Sequence, residues 1–381
     1  MSEHAPLAPS AAFRWRRCAL SVSLEAAYPD TSDKASAAEG NACHWVLERT
    51  VAGTPPAEGN RAPNGVAVTR EMFEAVELVL QDVEQKLGPN WRSIVSSERR
   101  VSIPRVHATQ CWGTADLSAW TVLGNGRRAL LVWDLKFGRT VVEAFENEQT
   151  AAYSAGLMSE QPNLNDQETV LDLTIVQPRA HHQDGPVRTW RCVGSDIRAL
   201  VNILHMQGEK ALAPNPPARP TPEGCRDCSG RHVCQALQRE GYAAADVADA
   251  STPVELTPQA LGLEQRALTR ALALLEARVK GNAAQIEATI RAGTAVPGWA
   301  LPQGAEGRLE WTVPAAQAAI AGDMMGIDIR APADVITPTQ AIAKGVPEAV
   351  VTLYAKRKPA ARKLVGDDGT LARLTFGSSN T

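Results

Sequence analysis

Long apolar runs are missing from this chain. The longest uninterrupted ones among its 381 residues, such as Ala129–Trp133, are five residues. A membrane-spanning helix needs about 20, so none is expected. The opening MSEHAPLAPS joins no basic patch to an apolar stretch. No secretory signal is read there, and the expected location is the cytoplasm. Neither sign of charge dominates: 39 Lys and Arg stand against 42 Asp and Glu, a net charge of −3. That excludes a chain that coats nucleic acid with its whole surface; any such binding needs a local basic groove. Hydrophobic residues at 44% and charged residues at 21% exclude a disordered or collagen-like polymer. Seven cysteines are an odd number for a cytosolic chain, so metal ligation is a better reading of any cysteine cluster than a disulfide framework.

The length allows two or three domains. Residues 1–12 read as a flexible N-terminus, 13–245 as a core, and 246–381 as a helical extension that contacts DNA or mediates oligomerisation. Helices are expected over Asp30–Arg49, with Asp30, Thr31 or Ser32 as cap, and over Thr69–Leu87, where Met72, Val76, Val79, Leu80 and Val83 share a face and Gly88-Pro89 is the stop. Strands are read in SSERRVSIP, CWGTADLSAWTVL, RRALLVWDLKFG and TVLDLTIVQP. A helix is expected over Glu143–Met158 and another in DIRALVNILHMQGEKAL. Prolines 214, 216, 217, 220 and 222 make a stiff, extended linker. Beyond it the composition turns to Ala-rich helix, with Leu268, Leu272, Leu275, Val279, Ile286 and Ile290 marking one face. The basic run Lys356, Arg357, Lys358, Arg362, Lys363 is a candidate DNA or partner contact, or a solvated helix face.

Chemistry concentrates in WDLKFG. Side chains alternate along a strand, so Asp134 and Lys136 share a face, and burying them in an otherwise apolar strand is costly without a purpose. Asp116 lies nine residues before Asn125 and Asp134 nine after it. If Gly124–Gly126 form a three-residue hairpin loop, the two aspartates face each other, with Cβ atoms about 4.5–5.5 Å apart. Carboxylates that close repel unless a cation lies between them or one is protonated. Hard oxygen ligands with room for water suit Mg²⁺ or Mn²⁺.

Gly113 and Asp116 as G-x-x-D, Asp134 and Lys136 as D-x-K, Gln149 and Tyr153 as Q-x-x-x-Y, and His44 in the earlier EGNACH resemble, in order, the motifs of RecB-like nucleases of the PD-(D/E)XK superfamily. The resemblance covers residues from about 10 to 240 and is closest to phage-encoded iron–sulfur exonucleases. It implies an α/β fold: a restriction-endonuclease-like core with a mixed central sheet flanked by helices, an Fe–S-stapled segment and a helical C-terminal extension. In that family's terms, His44, Asp116, Asp134 and the Leu135 carbonyl hold the metal, and Lys136 positions the attacking water. Gln149 and Tyr153 support the site, with Glu98 as an auxiliary acid.

Cys225, Cys228 and Cys234 put three thiols in ten residues after the proline linker. From spacing alone zinc is the simpler metal, with His232 or a distant cysteine as fourth ligand. The resemblance favours a 4Fe–4S cluster completed by Cys18, which leaves Cys43, Cys111 and Cys192 as buried thiols. It further implies a DNA exonuclease that resects double-stranded ends for phage-type recombination, with digestion from the 5′ end favoured. A single-strand annealing or single-strand-binding protein would be its partner, and it could form homo-oligomers. The alternatives are a structure-specific or nicking endonuclease, and a non-catalytic DNA-binding subunit that keeps the nuclease fold.

Overall fold

The computed structural model describes residues 5–30, 35–248, 257–302, 309–313, 315–330, 337–357 and 365–366. The chain divides into two compact units, Met1–Gly281 and Asn282–Thr381. The cap positions Thr31 and Ser32, and Lys358, Arg362 and Lys363 of the basic run, lie outside the described residues.

Unit one is a mixed α/β structure. Its five strands are β1 (Val95–Ser102), β2 (Trp112–Val122), β3 (Arg128–Leu135), β4 (Val170–Val176) and β5 (Val187–Val193). They lie side by side in chain order, all neighbours antiparallel except β3 and β4. A parallel pair needs a crossover, and here it is helix α5 (Glu148–Ser159), reached through the loop 136–147. Before the sheet come the short α1 (Ala12–Trp15), then α2 (Leu20–Ala27), α3 (Ala35–Val51) and α4 (Arg70–Leu87). After it come α6 (Arg198–Leu212), α7 (Pro222–Arg226), α8 (Gln235–Ala248) and the long α9 (Pro258–Arg291), which belongs to this unit as far as Gly281.

The sheet carries a core on each face. Val101, Ala115, Leu130, Val132 and Leu171 pack against α5, α6 and the N-terminal segment. Leu117, Ala119, Leu131, Trp133 and Leu135 pack against α3 and α4. Helix α4 follows its sequence signals closely. Thr69 accepts a hydrogen bond from the Met72 N–H at 3.4 Å as N-cap, and Gly88 ends the helix at φ 78°, a conformation that glycine adopts without a Cβ penalty.

Four expectations shift. Helix α5 starts at Glu148, not at residue 143, because Asn147 caps it by accepting from the N–H groups of Gln149 and Thr150. Strand β5 goes unread in the sequence. The N-terminus is not frayed over residues 5–12, where Leu7 and Ala12 are fully buried. On α9, Leu268, Leu272 and Val279 are exposed, and Leu274 and Ala277 are the buried pair, packed with Cys225, Cys234 and Leu237.

Unit two contains α10 (Ala315–Met324), α11 (Pro338–Ala343) and α12 (Glu348–Tyr354), with two small ribbons that pair β6 (Trp299–Ala300) with β9 (Val365–Gly366) and β7 (Leu309–Trp311) with β8 (Ala355–Arg357). Ala318, Ile329, Ala341, Val346 and Val351 form its core. Among the described residues no helix is long and apolar enough to cross a membrane.

Candidate metal centre

The β2–β3 hairpin has the register that its glycines predict. Leu123 N–H donates to the Arg127 carbonyl, and the ladder pairs Val122 with Arg128 through to Leu117 with Trp133. The pairing stops there, one position short of Asp116 and Asp134. The strands part, and the Asp116 carboxylate fills the opening by accepting the Leu135 N–H at 2.7 Å. On the other side the β1–β2 ladder pairs Ser97 with Leu117 and Arg99 with Ala115 and passes over Glu98 and Asp116 between them. Glu98 sits at φ 47°, a left-handed conformation unusual for a non-glycine residue and commonest where function over-determines the backbone. Around this point β2 changes core: Leu117 packs with α3 and α4, but Ala115 packs with α5. Three carboxylates, Glu98, Asp116 and Asp134, thus stand at one level of three adjacent strands, where the sheet opens.

Helix α3 brings the fourth group. His44 Nδ1 lies 3.3 Å from Asp116 Oδ1 and 3.9 Å from Glu98 Oε1. Ligand atoms of these three residues all fall within 4.8 Å of one another, and among the described residues no other His, Cys, Asp and Glu set does so. Arg179 anchors α3 nearby. Its guanidinium donates to both Glu71 oxygens and to Glu39, and it stacks 3.7 Å from the Phe137 ring centroid. No sequence signal marks this clamp.

Lys136 Nζ lies 2.8 and 3.0 Å from the two Asp134 oxygens and donates to Gln149 Oε1 at 2.8 Å. Tyr153 follows one turn further along α5, on the same face as Gln149. Gly113 is required here, since a Cβ on it would lie 2.8 Å from Tyr153 Oη. The structure therefore brings together His44, Glu98, Gly113, Asp116, Asp134, Lys136, Gln149 and Tyr153. Leu135 contributes its N–H to this set. Glu98, marginal in the sequence, is a full member.

The electrostatics divide the carboxylates. Burial favours protonation of Asp116, but the His44 charge and hydrogen bond, Lys136 and the Leu135 N–H outweigh it and hold the group below the usual carboxylate range. Burial pushes Asp134 up, aided by the Asp116 charge and opposed by Lys136. Burial and the Asp116 charge raise Glu98 to about 7. Burial lowers His44, but Asp116 prevails and raises it to about 9. Glu98 Oε1 is buried and accepts no hydrogen bond, which is costly. Two carboxylates and an imidazole around an orphaned oxygen fit a divalent cation with oxygen and nitrogen ligands.

A second constellation lies elsewhere in unit one. Cys18, Cys225, Cys228 and Cys234 line one small cavity with Leu24 and Leu237. All four are buried. Cys18 Sγ accepts the Arg219 N–H at 3.4 Å. Burial raises the Cys18 thiol and pushes Cys225 to about 11 and Cys228 to about 12. No three of these sulfurs lie within 4.8 Å of one another. His232 does not line the cavity; its Nδ1 bonds the Ser229 carbonyl and its ring packs edge-on to Tyr28. Cys43 and Cys111 are buried in the two sheet cores, and Cys192 is half-buried beside one of them.

A family model described as "Protein of unknown function (DUF2800)" matches residues 4–344, and the chain belongs to that family. Among solved structures, a candidate exonuclease from Eubacterium rectale is 9% identical with a TM-score of 0.36, and the match covers 66% of this chain and 90% of that one. A protein named SSO0001 is 14% identical with a TM-score of 0.26, over 60% of this chain and 85% of that one. Neither likeness is close enough to assign an activity.

Proposed function

We propose that the protein is a metal-dependent deoxyribonuclease of the PD-(D/E)XK, RecB-like kind, acting as an exonuclease on double-stranded DNA ends. One observation carries the reading: His44, Glu98 and Asp116 converge with an orphaned carboxylate oxygen among them, directly beside the Asp134–Lys136 pair. His44, Asp116, Asp134 and the Leu135 carbonyl would hold Mg²⁺ or Mn²⁺, with Glu98 as a further ligand. A divalent cation in such a site lowers the pKa of bound water and neutralises charge on a phosphate. The chain's own residues do the positioning. Gln149 fixes Lys136 with its ammonium toward Asp134, where it can orient the attacking water and stabilise charge that develops on the phosphate. Tyr153, packed against Gly113, stands one turn beyond Gln149 on the same face of α5.

The four-cysteine cavity is assigned to a 4Fe–4S cluster of mainly structural role. A single tetrahedral zinc, with bonds of about 2.3 Å, draws its thiolates to within roughly 4 Å of one another. Four thiols in one cavity are also the usual ligand set of a 4Fe–4S cluster. A single-strand annealing or single-strand-binding protein is the proposed partner for end resection. Incubation with Mg²⁺ or Mn²⁺ and end-labelled DNA tests the activity. Loss of linear but not covalently closed circular DNA is expected. Cutting of the closed circle would make the enzyme an endonuclease, and failure to cut either would refute the nuclease reading.

A further inference from the structure

We infer that Arg100, stacked on Trp112, grips the DNA phosphate next to the one that is cut; the inference rests on the nuclease reading above. Arg100 is exposed on β1, an edge strand of the sheet. Its guanidinium carbon lies 3.7 Å from the Trp112 ring centroid. Among the described residues it has no carboxylate partner, whereas the neighbouring Arg99 is committed to Glu160. An arginine placed over an indole face keeps its planar fork of N–H donors, and that fork matches the paired oxygens of a phosphate.

The position matters as much as the chemistry. Val101 and Ala115 point into the core beneath α5. Side chains alternate along each strand, so Arg100 and Ser102 of β1, with Trp112 and Thr114 of β2, point the other way. Arg100, Ser102 and Thr114 are exposed there and Trp112 is half-buried. Arg100 is two residues from Glu98 along β1, on the order of 7 Å, which is close to the phosphate repeat of a nucleic-acid strand. A phosphate at the carboxylates therefore places the adjoining phosphate at Arg100. Three carboxylates in one opening repel a polyanion, and a fixed cation at this distance offsets that repulsion. The surface fits DNA better than an acidic peptide, because its single cation and indole face are spaced for one nucleotide.

The test uses full-length protein and fluorescein-labelled single- and double-stranded DNA, with Ca²⁺ in place of Mg²⁺ to hold off cleavage. Affinity is measured across a salt series, and cleavage kinetics follow in Mg²⁺. Each phosphate contact contributes about 0.7 (single strand) to 0.9 (duplex) to the slope of log affinity against log salt. Arg100→Ala is expected to weaken binding about tenfold, lower that slope by one contact, and raise KM more than it reduces kcat. Arg100→Lys should keep the slope while binding a few-fold more weakly. Trp112→Ala should weaken binding with the slope intact, because the charge remains. If wild type cuts DNA and Arg100→Ala leaves the slope and affinity unchanged, this inference fails and the nuclease reading stands. If wild type neither binds nor cuts DNA, both fail.

Discussion

The contact between α5 and β1 can be tested with one substitution made at two places. Gly156 lies in α5 where the helix crosses β1. A Cβ there would sit 2.5 Å from Val101 Cγ1, 2.6 Å from the Ser102 carbonyl oxygen and 3.0 Å from Ile103 Cγ1. The second of these is backbone in a paired strand and cannot turn aside, so the helix itself must retreat by about an ångström. Overpacking of this kind costs about 1–3 kcal/mol, and a backbone clash puts this site toward the upper end. Alanine returns about 1 kcal/mol of helix propensity over glycine, leaving a net loss of about 1–2 kcal/mol for Gly156→Ala. Gly40 in α3 is also helical, but nothing lies within 4 Å of its Cβ position, so Gly40→Ala should stabilise by about 0.5–1 kcal/mol. Thermal unfolding of both variants should therefore shift in opposite directions, each by a few degrees. The rate of the proposed cleavage adds a second readout. Helix α5 carries Gln149 and Tyr153, and an ångström of misplacement at a catalytic group costs on the order of 10²-fold. A Gly156→Ala protein as stable as Gly40→Ala, and as active as wild type, would refute the packing described for α5.

Replacing Asp116, Asp134 or Lys136 by alanine should reduce cleavage by ~10²–10³-fold with the fold retained by circular dichroism; near-wild-type cutting by either aspartate variant would remove the site assignment. For the metal-free protein, His44 is raised in the fold to about 9, so its pairing with Asp116 stabilises fully below the ordinary histidine value of about 6.5 and is lost as pH rises toward 9. Glu98, raised to about 7, opposes folding increasingly as it is forced to ionise between about pH 4.3 and 7. Melting temperature should thus fall from pH 6.5 to 9 in wild type but less steeply in His44→Gln, and equal slopes would contradict the pairing. Anaerobically purified protein should be brown, with broad absorbance near ~400 nm. Serine at Cys18, Cys225, Cys228 or Cys234 should bleach and destabilise it, while serine at Cys43, Cys111 or Cys192 should not; colourless protein with one equivalent of zinc and no iron would overturn the cluster.

The parts of this fold that were legible in the sequence are those decided locally. The glycines at 124 and 126 set the hairpin register, Thr69 and Gly88 bound α4, and alternation put Lys136 beside Asp134. What stayed hidden depends on the surroundings. Strand β5, VRTWRCV, is interrupted by Arg188 and Arg191 and follows Pro186. It pairs only with β4, at the sheet's edge, so it carries no continuous apolar signal. Glu98 reads in the sequence only as an auxiliary acid; its left-handed backbone, which brings it to 3.9 Å from His44, has no sequence signal. On α9 the leucines outnumber the residues that are buried. The contact face is the one that carries Leu274, Ala277 and Gly281, where a Cβ at Gly281 would lie 2.6 Å from Arg231 Cγ and 3.2 Å from the His232 nitrogen; Leu268, Leu272 and Val279 lie off that face.

The docking of the N-terminal segment has a consequence for how the protein is made. Leu7, Ala12 and Trp15 are buried in a core completed by Leu204 and Ala211 of α6, Leu20 N–H donates to the Pro217 carbonyl, and Cys18 shares its cavity with cysteines some 200 residues later. A ribosome adds about 5–20 residues each second. The segment carrying Leu7 and Trp15 therefore emerges roughly 10–40 s before its partners at that rate and is exposed to solvent meanwhile. During that interval the nascent chain presents an apolar stretch that a chaperone can hold, and this core cannot close until the chain has been translated past Cys234.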